Sequence, residues 1–216
     1  FVSVVSSDTT RLTTTDQTHA IVESVATIPG DLDEDDTYIV VQRTINGATK
    51  RYIEYFSSFD FGEDVEDAFF LDSGLTYSGT SATSISGLDH LEGEVVSILA
   101  NGSSHPNKTV SSGAVSLDFE VTKAHIGLNY NSTLQTMRLE AGGTEGTAQG
   151  KTKRIHEAVM RLFRTVGANV GSSETALDRI PFRSSANPMS SSLPLFSGDK
   201  EVEFRGGFDT DGFIVV

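Results

Sequence analysis

Tyr38-Ile-Val-Val-Gln-Arg-Thr-Ile-Asn-Gly-Ala-Thr-Lys-Arg-Tyr-Ile-Glu-Tyr-Phe56 is the stretch that decides the fold class. Two runs rich in β-branched and aromatic residues flank Asn46-Gly47, a pair that tolerates the positive φ angles of a type I′ turn, so the segment reads as a tight β-hairpin. Arg43, Lys50, Arg51 and Glu54 are expected on its solvent side, with Ile39, Val41, Ile45 and Ile53 as candidates for the buried face.

Outward from the hairpin the texture stays that of strands and turns. Charged residues make up 21% of the chain, there are 20 glycines, and Ser and Thr are scattered throughout, which suits short strands better than amphipathic helices. Val2 to Val5 and Ile21 to Ile28 are β-branched runs, the second closed by the turn pair Pro29-Gly30. Asp31 to Asp36 reads as a solvated acidic loop, because so many like charges repel one another. The fold class expected is all-β.

From Asp72 onward, Gly74, Gly79, Gly87, Gly93, Gly102 and Gly113 punctuate short segments: Leu75 to Tyr77, Val95 to Leu99, Thr109 to Val110, Ala114 to Phe119 and His125 to Leu128. That spacing suits a compact sandwich or barrel. Residues 72–130 are therefore expected to form a small inserted β-barrel, limited by the turn-rich Ser73-Gly74 and Asn129 to Ser132. It would interrupt an outer β domain made of residues 1–71 and 131–216, as insertions at exposed turns do. Leu134 to Leu139 is another strand candidate, Ala141 to Gly150 a glycine-rich loop, and Ser184 to Ser192 a polar loop. Lys151 to Val166 is ambiguous: Ile155, Val159, Leu162 and Val166 fit a helical stripe, whereas Ala158, Met160 and Leu162 alternate as in a strand. Lys200 to Phe204 and Phe213 to Val216 are expected to form a final hairpin around Gly206-Gly207.

Composition narrows the function. With 216 residues and 37% hydrophobic content, the chain can bury one large core or two modest ones. It has no cysteine, so thiol chemistry and disulfide staples do not apply. A net charge of −14 opposes a phosphate backbone, which argues against a groove-reading nucleic-acid binder. The longest apolar stretches, Tyr38 to Val41 and Val95 to Ala100, fall far short of the roughly 20 residues that span a bilayer, so a soluble chain is expected. A start at Phe1 and an end inside the strand-like Phe213 to Val216 suggest a fragment of a longer polypeptide.

The chemical motifs are incomplete. Gly146-Thr-Ala-Gln-Gly-Lys-Thr152 resembles a phosphate-binding loop, but the first glycine of that motif falls on Glu145. His19, His90, His105, His125 and His156 lack a metal-ligand spacing. His90 beside Asp89 and Glu92 reads as a turn rim between Gly87 and Gly93, and no Gly-x-Ser-x-Gly elbow is present. Asp209-Thr-Asp-Gly212 starts like a calcium loop without its closing glutamate, and Asp31 to Asp36 lacks the central glycine. Glu63, Asp64, Glu66 and Asp67 offer paired carboxylates of the kind a glycosidase uses, but Trp, its usual sugar platform, is absent. No catalytic, cofactor-binding or metal-ligating residue is assigned, and no cofactor is expected.

Several stretches together resemble tailed-bacteriophage structural proteins of the tail nozzle or packaged-DNA stabilisation type. They are Val25-Ala-Thr-Ile-Pro-Gly30, Val41-Gln-Arg-Thr-Ile-Asn-Gly47 with Arg51-Tyr-Ile-Glu54, Asp67-Ala-Phe-Phe-Leu-Asp-Ser-Gly-Leu-Thr-Tyr77, Ile85-Ser-Gly-Leu-Asp-His-Leu-Glu-Gly-Glu94 with Val96 to Gly102, Gly150-Lys-Thr-Lys-Arg-Ile155, and Pro194-Leu-Phe-Ser-Gly-Asp-Lys200. The similarity spans about Ile21 to the end and leaves Phe1 to Ala20 unmatched. It implies a propeller-like or multi-barrel β fold in a homo-oligomeric ring, commonly a hexamer, that extends the head-to-tail channel of a virion, with no catalytic residues. It also favours a strand over Lys151 to Val166. The stretch from about Asp72 to Tyr130 resembles the small β-barrel module of ubiquitin-activating enzymes, a likeness of fold that carries no function.

On this resemblance the chain is expected to be a non-enzymatic subunit of a phage or prophage tail, made in the bacterial cytoplasm. Its expected partners are copies of itself in a ring and other tail or head-to-tail connector proteins. It would pass DNA without specific binding, since phosphate neutralisation would slow transit, and it would have no membrane partner. The alternative is a carbohydrate or receptor-binding module of a phage tail, and behind that a glycan hydrolase using Glu63 or Glu66.

Overall fold

The computed structural model describes residues 20–30, 35–57, 60–138, 149–189 and 191–216. The expected strand at Val2 to Val5, the acidic residues 31–34 and most of the glycine-rich loop at 141–150 lie outside them. Among the described residues the fold is all-β, with no α-helix and no sheet closed into a barrel. The chain divides into two compact units, Phe1–Ser132 and Thr133–Val216.

The first unit opens with three antiparallel strands in the order β1 (Ile21–Pro29), β2 (Asp35–Ile45), β3 (Ala48–Tyr55). The β2–β3 hairpin turns at Asn46-Gly47 with φ of 48° and 74°, as a type I′ turn requires. Its faces differ from expectation at three positions. Ile39, Val41 and Ile45 are buried, Arg43 is buried with them at 3% exposure and Glu54 is half-buried beside it, while Ile53 is 77% exposed. Strand periodicity explains all three: residues 39, 41, 43 and 45 share one face, register pairs Glu54 with Ile39 on that face, and it pairs Ile53 with Val40 on the other.

After a single 3-10 turn at Val65–Asp67 comes a four-stranded sheet. Its strands are β4 (Asp72–Ser86), β5 (Val95–Ala100), β6 (Ser103–Thr109) and β7 (Ala114–Leu128), in the order β4-β7-β5-β6. Ala114 to Phe119 and His125 to Leu128, expected as separate segments, are the two ends of the single 15-residue β7. Ser73-Gly74, expected as a turn, is the bulged start of β4. The β5–β6 hairpin repeats the Asn-Gly device at Asn101-Gly102, with φ of 47° and 74°. Between β6 and the first half of β7 side chains do the joining: His105 Nε2 accepts the Asp118 N–H at 3.0 Å, and Lys108 Nζ reaches the Asp118 carboxylate at 2.5 Å. Ile85, Leu88, Leu91, Val96, Ile98, Val115, Val121 and Ile126 form the centre of this unit's core, and Ile45 of the hairpin packs into it.

The second unit contains β8 (Glu157–Thr165), β9 (Asn169–Ser173), β10 (Ala176–Arg179) and β11 (Phe196–Glu203), paired as β8 with β11 and β9 with β10. The ambiguous stretch is thus a strand from Glu157 onward. The expected final hairpin is not formed. Lys200 to Glu203 pairs with β8, and Val215 bridges Gln135 and Gly171. Within Leu134 to Leu139, the described residues contribute the isolated bridge at Gln135 and no continuous strand. Ala158, Val170, Ile180 and Phe204 make a small core.

Candidate functional site

The densest polar constellation lies on the inward face of the hairpin, where it meets the start of β4. Arg43 Nε and Nη2 donate to the two carboxylate oxygens of Glu54, each at 2.8 Å, and Arg43 Nη1 lies 3.5 Å from Asp72. Alternation along β2 and β3 places Arg43 and Glu54 on the same inward face, and β4 brings Asp72 and Ser73 to them. Ser73, held at φ 47°, donates its hydroxyl to Glu54 Oε1 at 2.5 Å. His90 Nε2 donates to the Ser73 carbonyl at 2.9 Å, and the Tyr52 hydroxyl donates to the His90 carbonyl at 3.0 Å.

Electrostatics explains what this set can do. Burial pushes the Glu54 carboxyl up, but the bonds from Arg43 and Ser73 outweigh it and hold the group below the usual carboxylate range. Asp72 goes the other way: burial outweighs the more distant Arg43 guanidinium and raises it. A carboxylate saturated by a bidentate guanidinium is a poor base for the Ser73 hydroxyl, and His90 meets the Ser73 carbonyl instead of its Oγ. The arrangement is a clamp that fastens the hairpin to β4 and to the 3-10 turn at Asp89–Leu91.

A second fastening holds the hairpin tip. Glu94, 1% exposed, accepts the Asn46 N–H on Oε1 at 2.5 Å, while its Oε2 is buried with no protein hydrogen-bond partner among the described residues. A third ties the segment before β4 to β7. His125 Nε2 donates to the Glu66 carbonyl at 2.9 Å, and the Thr76 hydroxyl lies 2.8 Å from Nδ1. Burial lowers the His125 pKa from its ordinary value, and the Glu66 bond offsets part of that. The unfolded chain therefore takes up protons that the folded one resists. Stability of the first unit is expected to fall as pH drops below about 6.5. The variant His125→Gln should flatten that part of the curve in urea titrations at pH 7 and pH 5.

The other residues singled out in the sequence are dispersed. Glu66 and Asp67 sit in the turn fastened by His125, with Asp67 paired to Lys123, so these two residues are tied to β7. Glu92, next to His90, accepts the backbone N–H groups of Ser112 and Gly113, as expected of a turn rim. Asp209 pairs with Lys153 through the backbone, and Asp211 with Arg138 through its side chain. Of the described part of the Gly146 to Thr152 motif, residues 149–152, Gln149 and Gly150 line a cavity of about 260 Å³ with Arg138, Lys153, Thr210 and Asp211. Among the described residues no group of three His, Asp or Glu is placed to hold a metal ion, and no helix is long and apolar enough to cross a membrane.

Sequence reasoning missed Arg43, Glu54, Asp72, Ser73 and Glu94. Arg43 and Glu54 carried a readable signal: Arg43 shares its parity with Ile39, Val41 and Ile45, and a two-residue turn at Asn46-Gly47 sets Glu54 opposite Ile39. Comparison of the chain with protein-family models and with curated proteins found no match.

Proposed function

We propose that the chain is a non-enzymatic structural subunit of a bacteriophage or prophage tail, a nozzle or adaptor component that assembles as a ring of identical copies and lines or extends the DNA channel of the virion. The observation that carries the assembly is the outer face of β1–β2–β3. Ile21, Ile28, Ile53 and Tyr55 all point there and are 50% to 77% exposed. Apolar patches of this kind on a protein surface mark interaction sites. The phage class comes from the resemblance over Ile21 to the end.

In this reading β4 to β7 is the inserted small barrel and the remaining strands belong to a propeller-like or multi-barrel unit. The register shifts that bend β4 against β7, and the His105 and Lys108 side chains that reach Asp118, support it. The charge of −14 suits a conduit through which duplex must slide. Light scattering should find multimers of fixed stoichiometry, and a gel shift at low salt should show no duplex binding. A strict monomer that binds duplex tightly would overturn the proposal.

One observation favours the alternative of a glycan or receptor-binding module. The loop between β10 and β11 is tied from within by Arg183, which donates to the carbonyls of Asn187, Pro188 and Ser191, and it presents Met189 at 85% exposure. Specific signals on a glycan array would promote that reading.

A further inference from the structure

We propose that neighbouring copies join edge to edge, with β1 of one copy beside β3 of the next, so that the three-stranded sheet continues from subunit to subunit. The inference rests on the assembly proposed above and names its surface. Among the described residues β1 and β3 each pair with β2 alone, which leaves both outer edges open. All nine residues of β1 are exposed. Soluble proteins usually blunt such an edge with lysine, inward-pointing charge or internal proline. Here Glu23 is the single charge and Pro29 stands at the very end. The bulge between Val22 and Ser24 leaves the run from Ser24 to Pro29 regular.

Charge selects the partner edge. Copies of net charge −14 repel one another, so an edge pairing that brings opposite signs together is favoured over one that stacks like charges. Placing β1 against another β1 would set Glu23 near Glu23, and β3 against β3 would gather Lys50 and Arg51. β1 against β3 sets the carboxylate beside the cations. Within one copy Arg51 already holds both oxygens of Glu23, at 2.7 and 2.9 Å, so a β1–β3 junction brings this neutralised pair against its counterpart without setting like charges together. The strands match in length, nine residues and eight, and their outer faces contribute Ile21 and Ile28 from one copy, Ile53 and Tyr55 from the other. Both strands run antiparallel to β2, so a junction that keeps the strand direction is parallel. Such a contact uses two different surfaces, and head-to-tail contacts of that type close into rings or grow into filaments.

Cysteine cross-linking tests the junction cleanly because the chain has no cysteine of its own. Register sets Ser24, Val40 and Ile53 in one row and Ala26, Tyr38 and Tyr55 in the next. Within one copy the outer two members of a row are about 10 Å apart, two strand spacings, beyond the roughly 7 Å that a disulfide spans. The double variants Ser24→Cys/Ile53→Cys and Ala26→Cys/Tyr55→Cys should therefore shift from monomer to ladders longer than dimers under mild oxidation, while each single variant stays monomeric on denaturing gels. Single variants that dimerise as readily as the doubles form ladders would overturn the junction in favour of a two-fold one. Hydrogen exchange on the unmodified chain gives an independent readout: β1 amides should gain protection in the multimer and lose it on dilution. A stable multimer whose β1 exchanges freely overturns this junction and leaves the ring standing. A strict monomer at all concentrations overturns both.

Discussion

Replacing Arg43 by alanine is expected to destabilise the first unit by roughly 3 to 5 kcal/mol, the range seen when one member of a buried ion pair is removed. The guanidinium holds Glu54 by two bonds and faces Asp72, so its loss leaves two carboxylates deprived of the cation that offsets their burial. Tyrosine fluorescence is a selective probe, since all five tyrosines, at positions 38, 52, 55, 77 and 130, lie in that unit and there is no tryptophan. The companion variants should separate. Glu54→Gln should destabilise, because its carboxylate accepts three bonds, whereas Asp72→Asn should be neutral or slightly stabilising, because burial already disfavours that charge.

Acid should reveal the same difference in sign. Glu54 is depressed in the folded state, so its contribution is complete above the unfolded carboxylate range and is lost as pH falls through the lower folded value. Asp72 is raised, so the folded chain holds its proton longer, and its cost appears as pH rises past the unfolded value of 3.8. The triple variant Arg43→Met/Glu54→Leu/Asp72→Leu should recover most of the stability lost in Arg43→Ala, since apolar packing commonly replaces a buried ion cluster without loss. If Arg43→Ala left the urea midpoint of the tyrosine signal unchanged, the clamp would have no energetic role.

What could be read in advance follows the range of the interaction. The β2–β3 hairpin is local: two residues, Asn46 and Gly47, determine turn, register and pairing, and they are adjacent in sequence. The charge of Arg43 points to solvent and its parity points inward, and its partners explain why a charge can sit there: Glu54 comes from the neighbouring strand and Asp72 from 29 positions downstream. Nothing in Asp72-Ser73 announces a side chain turned toward a buried guanidinium. Asp118 and Glu120 interrupt the apolar pattern of β7 and make it read as two segments, yet no Gly, Pro or Asn lies between Ala114 and Gly127 to turn the chain. The C-terminal hairpin failed for the opposite reason. Gly206-Gly207 offers a turn, but the backbone groups of Val216 are taken by Leu134, far back in the chain, and a pairing of that range has no local chemistry to advertise it.

In the second unit, Gly171→Ala is expected to cost about 3 kcal/mol or more, at or beyond the upper end of ordinary overpacking. A Cβ there would sit 1.8 Å from the Ala176 carbonyl oxygen and 2.7 Å from its carbon, and backbone atoms cannot swing aside as a flexible side chain can. Gly171 also exchanges two hydrogen bonds with Val215, both 2.8 Å, so relieving the clash opens either the β9–β10 pair or the bridge to the C-terminal segment. Among the described residues the buried cluster of this unit is Ala158, Val170, Ile180 and Phe204, with Val215 buried beside the bridge, and so small a core has little reserve. Far-ultraviolet circular dichroism should show part of the strand signal melting early, while tyrosine fluorescence from the first unit keeps its midpoint. Gly207→Ala, where an added Cβ meets nothing within 4 Å, is the control and should change neither signal. A Gly171→Ala chain with an unshifted circular dichroism transition would mean that the close approach of β9 to Ala176 does not exist in solution, and with it would go the pairing that ties β9 to both β10 and Val215.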